Sequence, residues 1–295
     1  MICRVVAPAV ALETTLLMHG VPAAEAMPLA RDLARIVRAA RANPAVVGVL
    51  RGEAVVGMTD AELEAMLAEG GVPKVNTSNL GLMLHQGRSA ATTVSATMEL
   101  AAAAGVRVFA TGGIGGVHRG FGSHWDVSAD LLALARFPVA VVASGVKSLL
   151  DVESTREMLE TLGVPVVGFR TDSFPAFYVR RSAARVDARF DDARELARFV
   201  AVELARTGRG VLVANPVNEA DAIEPEQMEE WLALAEAQVG SGADTQVGKG
   251  GRDATPSILR ALHDLSGGQT LRTNLALVRG NAALSADLAR AMHAD

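Results

Sequence analysis

Residues 90–120 read AATTVSATMELAAAAGVRVFATGGIGGVHRG, and the punctuation of this stretch decides the fold. An alanine-rich helical segment from Ala90 to Ala104 is closed by Gly105, and Val106 to Ala110 follows as a short apolar run of strand length. The same alternation continues on both sides. Runs at Ala45 to Leu50, Pro138 to Ser144, Val164 to Phe169 and Gly210 to Asn215 lack a two-residue polar rhythm, as expected for strands covered on both faces. Helical stretches separate them at Ala23 to Ala40, Ser128 to Arg136, Asp151 to Leu162, Asp191 to Arg206 and Glu224 to Ala237. The pattern predicts an α/β fold, a three-layer α/β/α architecture around a central, mostly parallel sheet. No Pro- or Ser-rich linker divides the chain and no repeat is visible, so residues 1–295 are expected to form one domain, with Gly240 to Gly251 as a glycine-rich loop before a helical tail.

Composition narrows the function. With 50% hydrophobic and 21% charged residues the chain can bury a large core and remain dissolved. No apolar run reaches the roughly 20 residues of a membrane span, and the first residues lack the basic flank and apolar stretch of a signal peptide, so a cytoplasmic protein without membrane partners is expected. A net charge of −5 without a basic stripe, and only 4% aromatic residues, argue against a nucleic acid polymer as partner. The single cysteine, Cys3, offers no internal disulfide.

Lysine is the informative residue. Of 28 basic residues only Lys74, Lys147 and Lys249 are lysines, and an amine, unlike a guanidinium, can lose its proton when buried and attack a carbonyl. Lys147 stands in Val141-Val-Ala-Ser-Gly-Val-Lys147, at the end of an apolar strand where the next helix is expected to open. Such a position suits a Schiff-base nucleophile, although a lysine there can equally snorkel to water. Glu13 lies inside the apolar segment Ala11 to Leu17, which suits a general acid; the alternative is a buried glutamate satisfied by the hydroxyls of Thr14 and Thr15.

Other clusters are weaker alone. The five glycines among the ten residues from Thr111 allow close backbone approach to a ligand, and turned amides there can cradle a phosphate. His118 occupies the place of the third glycine of a dinucleotide fingerprint, which excludes that motif. Asp126, Ser128 and Asp130 can be a metal ligand and substrate contacts, or simply a helix cap with a favourable first-turn charge. Lys74 can reach a phosphate or lie on the surface.

Taken together, ALETTLLMHG (11–20), AATTVSATM (90–98), VFATGGIGGVHRG (108–120), DVSAD (126–130), SGVKSLLD (144–151), MLETLGVPVVGF (158–169), FPAF (174–177), ANPV (214–217) and TNLALV (273–278) resemble the pseudouridine-5′-phosphate glycosidase family, also called the indigoidine-synthase-A-like family. The resemblance implies Lys147 as nucleophile and Glu13 as proton donor, with His118 and Asp130 moving protons. It implies substrate contacts from Lys74, Val94, Thr111, Ser128, Ala129, Asp130 and Asn274, and one manganese ion per subunit on Asp126. The implied partners are a sugar phosphate with a nucleobase or another aromatic acceptor, and the implied assembly is a homotrimer.

Departures from the family pattern fall on the acceptor side. After Lys74 a basic Ser-Arg-Arg-Asp-Leu pattern is common, and this chain reads Asn76-Thr-Ser-Asn-Leu80; Gly280 stands where an asparagine is usual. Cleavage of pseudouridine 5′-phosphate is the leading expectation, and C-ribosylation of a different aromatic acceptor is the second. A catalytically silent sugar-phosphate-binding protein is the third, and the joint presence of Lys147, Glu13 and His118 speaks against it.

Overall fold

Strands with apolar residues at both odd and even positions stay dry only when covered on both faces. The computed structural model, which describes residues 1–122, 125–241, 258 and 261–294, covers them in this way. The strands in chain order are β1 (Ile2–Cys3), β2 (Ala9–Glu13), β3 (Asn43–Leu50), β4 (Glu53–Val56), β5 (Lys74–Val75), β6 (Ala91–Thr92), β7 (Val108–Ala110), β8 (Val117–His118), β9 (Ala140–Ala143), β10 (Leu150–Asp151), β11 (Val166–Phe169), β12 (Ala188–Phe190) and β13 (Val211–Ala214). Nine of them form one sheet in the order β1-β4-β3-β2-β7-β9-β13-β11-β12. Among the described residues, β3–β4 is its one antiparallel pair. The pairs β5–β6 and β8–β10 stand apart from it.

The helices are α1 (Thr14–His19), α2 (Ala23–Ala39), α3 (Asp60–Glu69), α4 (Leu80–His85), α5 (Val94–Ala103), α6 (Ala129–Arg136), α7 (Val152–Thr161), α8 (Ala193–Thr207), α9 (Pro225–Ser241) and a long helix Gln269–Ala294. Strand parity sorts the core. Val10, Leu12, Val108, Val142 and Val213 pack with α2, α8 and the long helix. Ala11, Phe109, Val141, Ala143 and Leu212 pack with α5, α6 and α7 on the other face. The expected three layers are therefore present. None of the described helices is long and apolar enough to cross a membrane.

The segment around Glu13, left unassigned by its pattern, divides into β2, a strand inside the sheet, and α1. Two expectations are corrected. The helix expected from Ala90 begins at Val94, because Ala91 and Thr92 pair with Lys74 and Val75. Lys147 does not open a helix: it sits in a turn, with β10 between it and α7. Where a cap is explicit in sequence the boundary is close to the expectation. The Asp192 carboxylate accepts the amides of Arg194 and Glu195 to start α8, and Gly208 closes it in the left-handed region with φ 65°. The stretch 242–251 of the glycine-rich segment, with Lys249, lies outside the described residues; Gly240 and Ser241 end α9.

Chain order makes a topological switch between β2 and β7. From β2 the chain runs through α1 and α2 to β3 on one side, and it later returns through α5, on the opposite face, to β7 on the other side. Open α/β sheets bind ligands at the carboxyl ends of strands at such a point.

The layering has a measurable consequence. Leu33 of α2 and Leu134 of α6 are both buried, on opposite faces. Replacing each with Ala should cost about 2–5 kcal/mol, and the double variant should lose the sum within about 0.5 kcal/mol. Strong non-additivity in denaturant unfolding would contradict two separate layers.

Candidate active site

The carboxyl ends of β2, β7 and β9 carry Glu13, Thr111 and the Ser144–Ser148 turn. Glu13 is 6% exposed, and its carboxylate accepts the Thr111 hydroxyl from across the switch point. Thr14 and Thr15 do not serve it. Their hydroxyls donate to the carbonyls of Val47 (3.0 Å) and Ala91 (3.1 Å). Burial pushes the Glu13 carboxyl above the ordinary glutamate range; the charge of Lys147 and the Thr111 hydrogen bond oppose the rise, and the Asp130 charge adds to it. Lys147 is half-buried. Its electrostatic effect on Glu13 brings amine and carboxyl into one locality. Lys74 acts on Glu13 as well, more weakly, from the exposed end of β5.

Asp130 is a structural knot. One carboxylate oxygen accepts the Ser95 amide (2.9 Å) and the other the Gly115 amide (2.8 Å). Thr93 makes no side-chain cap on α5, so Asp130 supplies the anion at that helix start, a short step from buried Val94. Ser128 caps α6 by accepting the Asp130 amide (3.2 Å), and Ala129 is the first residue of that helix. Ser128 is thus an N-cap and a member of the candidate site at once.

The glycine loop serves the protein first. A Cβ on Gly115 would lie 2.3 Å from Ser128 Oγ, one on Gly116 2.3 Å from Thr155 Oγ1, and one on Gly113 2.5 Å from the Phe177 ring. The amides of Ile114, Gly115 and Val117 are taken by Gly145 O, Asp130 and Thr155. The close approaches allowed by these glycines are to neighbouring side chains. Gly145 is the tightest: with φ 75°, a Cβ there would sit 1.7 Å from Pro175 O. This contact and the Ser148 hydroxyl donating to Ala176 O (2.8 Å) press the FPAF segment against the lysine turn.

His118 and Asp126 form a second group, with Nδ1 3.8 Å from a carboxylate oxygen and the His118 amide donating to Asp126 O (3.0 Å). Among the described residues no cluster of three His, Cys, Asp or Glu side chains could cage a metal. One carboxylate at a half-open position does fit a hard divalent cation that retains water or substrate oxygens. Asn274, 7% exposed, donates to Gly20 O (3.1 Å), and its side-chain oxygen has no hydrogen-bond partner among the described residues. A buried acceptor left open calls for a donor, which suits a ligand. No direct hydrogen bond joins Asn274 to Glu13 or Lys147; its side chain reaches the segment after β2 through Gly20 O.

Sequence reasoning missed Asn281, which is fully buried and donates to Thr111 O (2.7 Å) and Ser144 Oγ (3.2 Å) while accepting from Asn215 Nδ2 (2.9 Å). Its available signal was its spacing of two helical turns from Asn274.

Comparison with known proteins gives a consistent pattern. The family model described as indigoidine synthase A like protein matches residues 3–291. The pseudouridine-5′-phosphate glycosidase of Dinoroseobacter shibae is 44% identical, covering 97% of this chain and 93% of its own. That of Deinococcus radiodurans is 46% identical, covering 96% and 89%. Among solved structures, an indigoidine synthase A-like protein from Thermotoga maritima superposes with a TM-score of 0.87 at 38% identity, covering 98% of this chain and 94% of that one. The prealnumycin C-glycosynthase AlnA, in complex with ribulose 5-phosphate, superposes at 0.88 with 36% identity, covering 97% and 92%.

The buried carboxyl predicts a pH signature. A carboxyl whose folded pKa is raised favours folding most below its unfolded value, near 4.5, and that contribution is lost as pH rises through the folded pKa. Glu13→Gln should therefore gain melting temperature relative to the native protein as pH is raised from 4.5 to 8. Calorimetry showing a constant difference over that range would contradict the burial penalty.

Proposed function

The chain belongs to the indigoidine synthase A-like family, and from that membership we propose that it is a pseudouridine-5′-phosphate glycosidase. It converts pseudouridine 5′-phosphate and water reversibly to uracil and ribose 5-phosphate, acting as a C-glycosidase of lyase type. The observation that carries this reading is that a half-buried amine, Lys147, follows β9 and a buried carboxyl, Glu13, ends β2, on either side of β7 and within electrostatic reach of each other.

A carbon–carbon glycosidic bond has no leaving oxygen to protonate, so the paired-carboxylate hydrolysis of ordinary glycosidases does not suffice. In the proposed route the Lys147 amine forms a bond to C1′ as C1′–O4′ breaks, and a proton from the amine passes to O4′, which leaves as a hydroxyl. Glu13, whose protonated form burial favours, delivers a proton to the base carbon. The C1′–base bond then breaks, its electron pair stays with the base, and the nitrogen lone pair completes an iminium. Water adds to the iminium and frees ribose 5-phosphate.

His118, beside Asp126, is suited to carry protons during ring opening and iminium hydrolysis. Asp130 has both oxygens held by backbone amides, so its part in proton movement comes through the charge it presents to Glu13. Lys74 meets the phosphate, whose binding orients C1′ against the amine. Val94, Thr111, Ser128 and Ala129 line the sugar phosphate, and Asn274 meets the base with its open acceptor. Asp126 would hold a manganese ion, one per subunit, and the ion would neutralise charge on substrate oxygens. A phosphorylated substrate does not cross membranes unaided, in keeping with a cytoplasmic location, and the family resemblance carries a homotrimer of single-domain subunits.

A second reading, C-glycosynthesis onto another aromatic acceptor, is favoured by the likeness to AlnA and by the Asn76–Leu80 segment. That segment is closed on itself and carries no cation: Asn76 Oδ1 accepts the Ser78 amide (2.9 Å) and hydroxyl (2.7 Å), and Asn79 Oδ1 accepts the Asn76 amide (2.9 Å).

With manganese and pseudouridine 5′-phosphate, chromatography should detect uracil and ribose 5-phosphate in equal amounts. Borohydride trapping of a ribose 5-phosphate adduct on Lys147 without uracil release would move the synthase reading ahead. Lys147→Arg should abolish turnover because a guanidinium forms no iminium, and substantial residual activity would refute the covalent role. Lys74→Ala should raise KM more than it lowers kcat; a pure kcat loss would reassign Lys74 to the chemical step.

A further inference from the structure

Asn281 is the one side chain whose hydrogen bonds reach the carboxyl ends of three adjacent strands among the described residues. Its amide nitrogen holds Thr111 O after β7 and Ser144 Oγ after β9, with a longer contact to Gly112 O (3.4 Å). Its oxygen accepts from Asn215 after β13, and Ser144 Oγ donates in turn to Asn215 O (2.8 Å). Asn281, Ser144 and Thr111 are buried and Asn215 half-buried, and each hydrogen bond in the network fixes the direction of the next.

Its neighbours do the chemistry. Thr111 is the residue whose hydroxyl is donated to Glu13, and Ser144 begins the turn that carries Lys147. On the long helix, Asn274, Leu277, Val278 and Asn281 form one buried stripe with polar ends about 10 Å apart. The same stripe therefore anchors both the open acceptor and the strand ends.

We propose that Asn281 is a positioning residue: by clamping the main chain of Thr111 and the side chain of Ser144, it sets the approach of Glu13 to Lys147 and fixes the distance of both from Asn274. This rests on the roles given above to Glu13 and Lys147. An alanine at 281 removes the clamp without touching any reacting group, and loosening Thr111 weakens the hydrogen bond that favours ionised Glu13.

The test follows the Glu13 carboxyl by carbon-13 NMR in the unliganded protein, assigned with Glu13→Gln. Asn281→Ala should raise the Glu13 titration midpoint in the same direction as Thr111→Val, and the double variant should show less than the sum. In turnover of pseudouridine 5′-phosphate below the melting transition, Asn281→Ala should lower kcat about 100-fold with KM changed less than about threefold. Asn281→Ser, which keeps a hydrogen-bonding group, should recover part of the loss and serves as the test variant if the alanine form does not fold. An unmoved Glu13 titration, or additive effects with Thr111→Val, overturns the proposal. Absence of uracil release by the native protein counts against the glycosidase reading instead, since the titration is measured without turnover.

Discussion

One carboxyl group kept from water sets the conditions for the rest of this site. Glu13 ends β2, inside a sheet whose two faces are sealed by helices, so its charge has no bulk solvent to meet. Burying a carboxylate unaided is costly enough that the group takes up a proton instead. Thr111 and Lys147 moderate that tendency and Asp130 reinforces it. The balance requires all four to hold their separations. Topology provides this, because the switch between β2 and β7 brings strand ends from distant parts of the chain side by side.

The glycine loop is the mechanical complement of that electrostatic arrangement. A stretch rich in glycine invites the reading of a phosphate cradle, yet its missing side chains are replaced by Ser128, Asp130, Thr155 and Phe177. Gly113, Gly115 and Gly116 each admit a neighbour that fixes another part of the site. Asp130 ties the loop to the start of α5, Thr155 ties it to α7, and Phe177 brings the FPAF segment over the lysine turn. The loop gains rigidity from interlocking, so that Lys147, in a turn with no helix to stiffen it, still has a fixed base.

Much of this was legible because local signals agreed with tertiary demands. Valine-rich runs gave five of the sheet strands, and the helical stretch Asp191 to Arg206 matches α8 within two residues at each end. What was illegible depended on partners remote in sequence. Ala9–His19 shows no helical or strand period, so periodicity could not divide it, and only the sheet decides that Ala9–Glu13 is extended. Lys147 was expected at a helix start because its turn is held by Ile114, Pro175 and Ala176, none of them near in sequence. Asn281 looked like an ordinary polar helix residue until three strand ends gave it partners. Conversely, Glu13 was legible as buried, while its partner was not: nearby Thr14 and Thr15 were the obvious hydroxyls, and both face other carbonyls.

The division between glycosidase and glycosynthase does not lie in the residues that make and break the bond. A lysine that forms an iminium and a carboxyl that exchanges one proton serve both directions, because a catalyst stabilises one transition state for both. Discrimination therefore belongs to the groups that meet the acceptor. On the proposed reading, Asn274 meets the acceptor with one open buried oxygen, which asks for an N–H or O–H on the acceptor's edge. On the same reading the Asn76–Asn79 turn, which bonds to itself and offers no cation, adds shape to the acceptor's side more than charge. A site built this way selects an acceptor by a hydrogen bond and a contour. Reactive sugar chemistry can then be preserved across relatives while the aromatic partner changes with a few residues on the rim.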